Sequence, residues 1–348
     1  MENYTISQVY PSDTRMNQKI DALLLAEGIR RDNNLDYTCG VFDPDFNLIA
    51  TGSCFGNTLR CLAVSNAHQG EGLMNVMVTH LVNMQFAKGN SHLFLYTKCD
   101  SARFFRDLGF YKIVDIDKQL VFMENRRTGF SNYLAALQQS RQQLPKVAAL
   151  VMNANPFSLG HLYLTEKASA ENDLLHLFIV SEDSSLIPFH IRKKLVIEGT
   201  SHLNNICYHD SGPYIISNAT FPSYFQKDVD SVVQGHALLD LTIFVEIAKT
   251  LGITFRYVGE EPNSQVTNTY NQIMKEKLPE FGIACVEVPR KMCGDSVISA
   301  SAIRQAIKDG DWNTLRMLVP NPTLQYFQSS EALPIIEKIR NTQNVIHH

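Results

Sequence analysis

The segment VAALVMNANPFSLGH, residues 147 to 161, decides the fold class of this chain. Residues 147–152 are apolar without alternation, as in a strand that is covered on both faces of a parallel sheet. Asn, Pro, Ser and Gly follow, which are turn-forming residues, and the segment after them suits a helix. A helix that begins directly after a parallel strand presents free backbone N–H groups and the positive end of its dipole. The segment therefore predicts a phosphate-binding turn, with His161 at the start of the helix.

Length and composition are those of an ordinary globular chain. Its 348 residues are enough for about two domains, and 45% hydrophobic against 19% charged residues allow sizeable cores. A net charge of −4 argues against a general nucleic-acid binder, which is usually basic. No unbroken apolar run reaches the length of about 18 residues that a membrane span needs, and the first residues lack the features of a secretory signal. We therefore expect a cytoplasmic protein with neither a membrane nor a nucleic acid as partner.

The seven cysteines are scattered and odd in number, and no two of them form a CxxC pair. They are expected to be reduced thiols rather than disulfides or a zinc site. Cys293, next to Gly294, has no evident base beside it, so we expect a structural thiol there.

Residues 1–131 combine helices and antiparallel strands around a glycine-rich loop, Gln69-Gly70-Glu71-Gly72. The predicted elements are a helix at 20–31, strands at 36–42, 47–53 and 58–64, a helix from 73, a strand at 92–96, a helix at 101–108 and a strand at 111–114. With the segment Phe104–Phe110, this order resembles the GNAT acetyltransferase fold, an α+β domain. In that family the loop amides bind the pyrophosphate of coenzyme A, and glycine lets the backbone approach the anion.

One position departs from that family, because Ala67 stands where an Arg or Gln usually precedes the first glycine by three residues. The resemblance implies that Gln69, Gly70 and Gly72 contact coenzyme A or a pantetheine-like arm. Docking of a partner is the alternative for this domain.

The second half of the chain alternates strands with helices. A polar-faced helix and Leu144-Pro145 predict a linker over residues 132–145, since proline disfavours helix in the residue before it. Residues 146–348 then predict a Rossmann-like parallel sheet covered by helices, followed by C-terminal helices, which makes the chain α/β as a whole. Ligands of such sheets bind at the carboxyl ends of the strands. Three polar segments follow predicted strands there: Asn153–His161, Gly259–Pro262 and the turn before Ser299.

Two motifs, Asn155–His161 and Ile298–Arg304, resemble those of the nucleotidyltransferase superfamily, (His or Thr)-x-Gly-His and Ile-Ser-Ser-Thr-x-x-Arg. Ser299 would cap a helix whose first amides face the β- and γ-phosphates of ATP. Arg304, about one and a half turns on, could reach the same anion with a fork of donors. His161 would stabilise the charge that builds on the α-phosphate as pyrophosphate leaves. Ser158 replaces the first His or Thr and keeps a hydroxyl for phosphate contact.

A more specific resemblance, to the citrate lyase ligase family, spans nearly the whole chain. The segments that carry it are His92–Lys98, Phe105–Tyr111, Met152–His161, Ile216–Phe225 and Val258–Pro262. It implies an acid-thiol ligase that uses ATP to adenylate acetate, releasing pyrophosphate. The acetyl group would then pass to the thiol of the prosthetic group on the acyl carrier subunit of citrate lyase, with AMP as the second product. Mg²⁺ is expected with ATP, and its ligands are left open.

The predicted site residues of the second domain fall into two groups. Catalytic roles are assigned to His161, Ser158 and Arg304. Nucleotide binding is expected from seven residues: Asn153, Asn155, Gly160, Gly259, Glu260, Ser299 and Ser301.

Other functions and residue roles stay open. An adenylyltransferase of the pantetheine-phosphate or nicotinamide-mononucleotide type shares the two motifs but leaves the first domain unexplained, and a nucleotide-sensing regulator without turnover is the third possibility. Residues 192–194, Arg-Lys-Lys, are predicted to form a solvated basic face rather than to contact the triphosphate. Glu260 and Glu261 either help to hold nucleotide or magnesium or merely end a strand. Phe221–Phe225 is either a core loop or part of the acetate pocket.

Overall fold

A computed structural model describes residues 4–116, 120–182, 185–215, 229–260, 265–294 and 296–342. The chain divides into two compact units. The first comprises Met1–Ser131 and Pro222–Leu239, and the second comprises Asn132–Phe221 and Asp240–His348.

The first unit is built on a mixed seven-stranded sheet. Its elements are β1 Thr5–Gln8, α1 Thr14–Ala26, β2 Tyr37–Phe42, β3 Leu48–Phe55, β4 Thr58–Val64, α2 Leu73–Ala87, β5 Phe94–Thr97, α3 Ala102–Asp107, β6 Tyr111–Ile116 and β7 Leu120–Glu124. The strand order is β1-β2-β3-β4-β5-β7-β6, and every neighbouring pair is antiparallel except β4 and β5. That parallel pair is joined only at Thr58–Phe94 and Leu59–Leu95. The rest of the two strands is therefore not hydrogen-bonded to each other, which leaves room for a groove.

Helix α2 covers one face of this sheet. Its buried residues include Leu73, Met77 and Leu81, spaced by three to four positions as a single helical face requires. Gly52 on β3 lets this helix approach, because a Cβ there would lie 2.9 Å from the Met77 side chain. The helix begins directly after the glycine-rich loop, and its N-cap, Gly72, has a left-handed conformation.

The second unit contains an all-parallel five-stranded sheet in the order β10-β9-β8-β11-β12. The elements after β7 are, in chain order, α4 Gly129–Gln138, β8 Val147–Met152, α5 Leu159–Glu171, β9 Leu174–Ile179, α6 Phe189–Gly199, β10 Ile206–Asp210, α7 Val229–Leu251, β11 Phe255–Gly259, α8 Gln265–Lys277, β12 Ala284–Val288, β13 Met292–Cys293, β14 Ser296–Val297, α9 Ala300–Asp309, α10 Trp312–Leu318, α11 Asn321–Gln328 and α12 Leu333–Asn341. Two of these helices cross a boundary between the units, since the part of α4 up to Ser131 and the part of α7 up to Leu239 are grouped with the first unit. Strand β8, which carries the apolar run of residues 147–152, lies at the centre of this sheet. On one side of β8 the sheet continues through β9 to β10, and on the other side it continues through β11 to β12. Successive strands are therefore added on opposite sides of β8, and open α/β sheets bind their ligands at such a point.

The core of the second unit joins the sheet to the C-terminal helices. One buried cluster includes Leu150 of β8, Leu177 of β9, Ile303 of α9, Phe327 of α11 and Ile339 of α12. Helices α9 to α12 therefore belong to the same core as the sheet.

Among the described residues one helical stretch, Ser231–Leu251, has the length and apolarity of a membrane span. Its apolarity is an average over the stretch, since the sequence contains no unbroken apolar run of that length. Of its most apolar part, 67% is buried inside the protein, as in a core helix.

The predicted fold class is confirmed: an α+β unit with GNAT-type order precedes a unit with a parallel sheet. Strand β8 has the predicted bounds. The first helix was misplaced, since α1 begins at Thr14, where Asp13 caps it, and ends at Ala26 rather than at residue 31. Strands β1 and β7 were missed. The predicted polar-faced helix of the 132–145 linker is α4, which ends at Gln138, because residues 139 to 141 form tighter turn bonds such as Ser140 N to Leu137 O.

Candidate active site

The two predicted motifs meet at a cavity of about 440 Å³ at the carboxyl edge of the parallel sheet. It lies at the ends of β8, β11 and β12 and at the beginnings of α5 and α9. Eight predicted site residues line it: Asn153, Asn155, Ser158, Gly160, His161, Gly259, Ser299 and Arg304. Residues 149 positions apart in sequence thus share one cavity, since Arg304 Nη1 donates a hydrogen bond of 2.7 Å to the carbonyl oxygen of Asn155.

Ser158 and His161 form a reciprocal cap at the start of α5. The Ser158 hydroxyl oxygen accepts a hydrogen bond of 3.1 Å from the His161 backbone N–H, and the Ser158 backbone N–H donates one of 3.2 Å to His161 Nδ1. The Ser158 hydroxyl is also 2.8 Å from Nδ1. This is the capping-box arrangement with histidine in the place of the usual Glu or Gln. Ser158 is therefore oriented by the helix start and His161, and it is only 2% exposed.

The cap determines the tautomer of His161. Because a backbone N–H can only donate, Nδ1 is an acceptor and the proton of the neutral imidazole is on Nε2. Burial, and to a lesser extent the charge of Arg290, lowers the pKa of His161 to about 4. At neutral pH the ring is thus uncharged, and it offers Nε2–H as a donor.

Two buried arginines hold the loop between β8 and α5. Arg192 Nη1 donates 2.8 Å hydrogen bonds to the carbonyl and side-chain oxygens of Asn153, and it also reaches the carbonyl oxygen of Val180. Arg304 holds Asn155, as described above, and burial lowers the pKa of Arg304 to about 10, so it stays charged at neutral pH. The residue between them, Ala154, has φ of 51°, a left-handed conformation that favours glycine. Fixed partners on both sides maintain this loop geometry.

The opposite wall is the start of α9. Ser299 caps this helix, its hydroxyl accepting a hydrogen bond of 3.2 Å from Ala302 N, as predicted. Gly160 faces this wall, because a Cβ there would lie 3.5 Å from the carbonyl oxygen of Ile298. Two helix N-termini, those of α5 and α9, therefore open on one cavity, and their unpaired amides favour an anion.

Two cationic residues that were not predicted, Arg290 and Lys291, also line the cavity. Arg290 Nε donates a hydrogen bond of 2.7 Å to the carbonyl oxygen of Glu260, and the Lys291 ammonium lies 5.7 Å from the centroid of the Tyr163 ring. Their sequence position is a signal for this role, since both lie within three residues of the end of β12, at the edge of the sheet where ligands bind.

Several other predictions concern residues outside the cavity lining. The Glu260 side chain is exposed, and Ser301 contacts the Ser299 hydroxyl at 3.0 Å rather than lining the cavity. Cys293 is half-buried in the short strand β13 and does not line it either. Glu261 and Phe221–Phe225 lie outside the described residues.

The prediction of a solvated basic face was wrong for Arg192. That side chain is 0% exposed, because carbonyl oxygens from the surrounding loops satisfy its guanidinium group. Lys193 is partly exposed and forms a salt bridge of 2.6 Å with Asp210. Lys194 is exposed, and its ammonium lies 3.8 Å from the Glu331 carboxylate.

The first unit has its own groove, of about 690 Å³, where β4 and β5 separate. Gln69, Gly70 and Gly72 line it, together with the start of α2. Gly70 has φ of 89° and Gly72 has φ of 78°, conformations that require glycine. Gln69 donates hydrogen bonds to the side chains of Glu27 and Asn66, at 3.2 and 2.8 Å.

Comparison with known proteins gives matches to both halves. Residues 147–327 match the family model described as the citrate lyase ligase C-terminal domain. The chain is 39% identical over 307 residues to a citrate (pro-3S)-lyase ligase of Escherichia coli, covering 86% of this chain and 87% of that protein. A ligase of the same name from Haemophilus influenzae is 35% identical over 315 residues, covering 89% and 94%.

Solved structures of lower similarity match about a third of the chain. A GNAT-family acetyltransferase of Staphylococcus aureus is 14% identical, covers 36% of this chain and 100% of its own, and has a TM-score of 0.30. N-acetylglutamate synthase from Neisseria gonorrhoeae is 17% identical, with 36% of each chain covered and a TM-score of 0.30.

Proposed function

This chain belongs to the citrate lyase ligase family, and we propose that it activates acetate with ATP and passes the acetyl group to the acyl carrier subunit of citrate lyase. Family membership makes it an ATP-dependent acid-thiol ligase that activates citrate lyase. Acetate as the acid, the role of each residue and a cytoplasmic location are the finer parts of the proposal. The observation that carries it is a neutral His161 imidazole in a cavity that contains two helix N-termini and basic side chains.

In the first step an acetate oxygen attacks the α-phosphorus of ATP, forming a P–O bond while the bond to pyrophosphate breaks. Negative charge builds on the α-phosphate oxygens in this displacement. We assign His161 Nε2–H as the donor that stabilises this charge, because the cap on Nδ1 fixes its proton on that nitrogen. Ser158 is assigned a positioning role, since its backbone N–H and hydroxyl orient the His161 ring, and the predicted contact of its hydroxyl with phosphate is kept as part of the proposal.

The leaving pyrophosphate needs cations and backbone donors. We assign the N-terminus of α9, with Ser299 as its cap, to the β- and γ-phosphates. Arg290 and Lys291 are proposed to contact the same groups, because both line the cavity and are not fully buried. Arg304 holds the Asn155 carbonyl and contributes its charge from below the loop. Catalysis by such a site rests on positioning and electrostatics.

Magnesium fits this site only as a partner of ATP. Among the described residues, no carboxylate side chain lines the cavity, so the protein supplies no acidic cage for a free ion. Mg²⁺ commonly keeps several waters and binds through substrate phosphates. We therefore propose that it enters with the nucleotide, bound by the phosphates and by water.

In the second step the carrier thiol attacks the acetyl carbonyl, a C–S bond forms and AMP leaves. We propose that the groove at Gln69, Gly70 and Gly72 binds the pantetheine-like arm of the carrier. Its support is a glycine-rich helix start, which suits a phosphate, beside a groove with apolar residues such as Leu62 and Phe105.

Acetate-dependent exchange of labelled pyrophosphate into ATP tests the first step. Exchange that requires acetate supports the ligase, whereas pyrophosphate release with phosphopantetheine or nicotinamide mononucleotide, and none with acetate, would identify an adenylyltransferase. ATP binding without any exchange would identify a nucleotide sensor.

For the second step, deacetylated citrate lyase is incubated with enzyme, ATP and acetate, and the mass of the carrier is measured by mass spectrometry. A carrier heavier by one acetyl group, with one AMP formed, is the expected result.

A further inference from the structure

A cluster of metal-ligating side chains lies on the parallel sheet, away from the nucleotide cavity. His176 is on β9, and Cys207 and His209 are two residues apart on the neighbouring strand β10. The register pairs Cys207 directly with His176, and alternation along β10 puts His209 on the same face as Cys207. One possible ligand atom from each residue lies within 4.8 Å of the others.

Two of these ligands are already in direct contact. His176 Nδ1 and His209 Nε2 are 2.8 Å apart, and the His209 ring stacks on Phe178 with centroids 4.7 Å apart. His176 is 0% exposed and His209 is 7% exposed. Among the described residues, His176 Nε2 has no hydrogen-bond partner. A buried polar atom without a partner costs about 1–3 kcal/mol, so an apolar residue would be the less costly occupant if the position served packing alone.

We propose that His176, Cys207 and His209 form a binding site for one Zn²⁺-type transition-metal ion. Two imidazoles and one thiolate are the ligands that zinc prefers, and three protein ligands leave a fourth position for water. Tetrahedral zinc with bonds of about 2.0–2.1 Å to nitrogen holds two ring nitrogens about 3.3 Å apart. The His176–His209 contact must therefore open by only about half an ångström.

The composition of the cluster also selects the class of metal. It has no carboxylate, and Asp210, the adjacent residue, forms a salt bridge of 2.6 Å with Lys193. Nitrogen and sulfur ligands favour zinc and its neighbours over Mg²⁺ and Ca²⁺, which prefer oxygen. None of the three residues lines the nucleotide cavity. The proposal is thus independent of the proposed function.

Local sequence patterns do not reveal this site, because its ligands do not occur as a CxxC or similar motif. They converge only through the pairing of β9 with β10. The expectation that no cysteine contributes to a zinc site followed from spacing along the chain, which does not register neighbours across a sheet.

Co²⁺ replaces Zn²⁺ in such sites and makes them visible. The full-length protein, reduced and treated with a chelator, is titrated with Co²⁺ and then with Zn²⁺. We expect a thiolate-to-cobalt charge-transfer band that saturates at one equivalent and disappears as Zn²⁺ displaces cobalt. Cys207→Ser should remove the band and weaken Zn²⁺ binding at least about tenfold. Cys285→Ser, at a half-buried cysteine on β12, is the matched control and should behave as wild type.

A wild-type protein without the charge-transfer band would overturn the proposal, as would a band that survives Cys207→Ser or is lost equally in Cys285→Ser. If Cys207→Ser does not fold, crystals of the wild-type cobalt complex decide the question. Anomalous scattering should give one peak bonded to His176, Cys207 and His209, and a peak elsewhere refutes the site.

Discussion

Replacement of His161 by alanine gives the sharpest test of the candidate active site. Its Nε2–H is assigned as one preorganised donor to the α-phosphate, and removal of one such donor commonly costs about 10²–10³-fold in kcat, or about 2.7–4 kcal/mol. The ring is part of the α5 cap, but the Ser158 hydroxyl still accepts the backbone N–H of residue 161 in the variant. We therefore expect most of the loss in the rate and little change in the affinity for ATP.

The pH dependence of the same assay separates two roles for the ring. Since the pKa of His161 is lowered to about 4, the imidazole is neutral in the folded enzyme at every pH above about 5. Acetate-dependent pyrophosphate exchange should then show no loss assigned to His161 between pH 6 and pH 8. If the charged imidazolium were the active form, the rate would instead fall about tenfold for each pH unit over this range, because above the pKa the protonated fraction falls by that factor.

His202→Ala is the matched control. His202 is in the same unit, and its Nε2 lies 3.0 Å from Glu166 Oε1 at the surface, outside the cavity. Exchange should be unchanged in that variant. A His161→Ala enzyme with wild-type exchange would refute the donor role. So would an exchange rate that falls steadily from pH 6 to pH 8 in the wild type but not in His161→Ala.

Further predictions follow from the contacts around the cavity. Ser158→Ala should lower the free energy of unfolding, measured by urea denaturation, by about 1 kcal/mol because the helix cap is lost. The backbone N–H of residue 158 still orients His161, so pyrophosphate exchange should fall much less than in His161→Ala. Arg192→Met should cost at least about 3 kcal/mol in urea denaturation, because several buried carbonyl oxygens lose their donor. Lys291→Ala should raise the KM for ATP about tenfold, the equivalent of one charged hydrogen bond, whereas Lys194→Ala, outside the cavity, should leave it unchanged.

The parallel sheet and the meeting of the two motifs could be predicted because both rest on local patterns. An apolar run such as residues 147–152 identifies a buried strand, and the carboxyl ends of parallel strands lie at one edge of a sheet. Asn155 and Arg304 therefore come together although they are far apart in sequence. Strand β7 could not be placed in the same way, because it inserts between β5 and β6 and its position follows from long-range pairing.

The roles of the arginines depend on tertiary structure that no local pattern reveals. Arg192 occurs in a basic triplet on a helix, a pattern typical of a solvated face. Its burial requires carbonyl oxygens from loops at Asn153, Val180 and Glu182, which converge only in the folded chain. Ser158 was predicted to contact phosphate as a substitute for His or Thr, which stays a prediction, and its hydrogen bonds to His161 add an orienting role that spacing along the chain did not reveal.

The charge around the cavity differs in sign from the charge of the chain. The whole sequence carries −4, yet Arg290, Lys291 and Arg304 line the cavity and Arg192 lies under its loop. The hydrogen bonds described for the two buried arginines go to carbonyl and amide oxygens, which satisfy the donors without neutralising the charge. A positive potential focused in a cleft attracts a polyanion such as ATP even to an acidic protein, and salt screens it less at buried than at exposed cations. We therefore propose that the buried pair supplies a field that persists at physiological ionic strength, and that Arg290 and Lys291 at the cavity wall contact the phosphates of the leaving pyrophosphate.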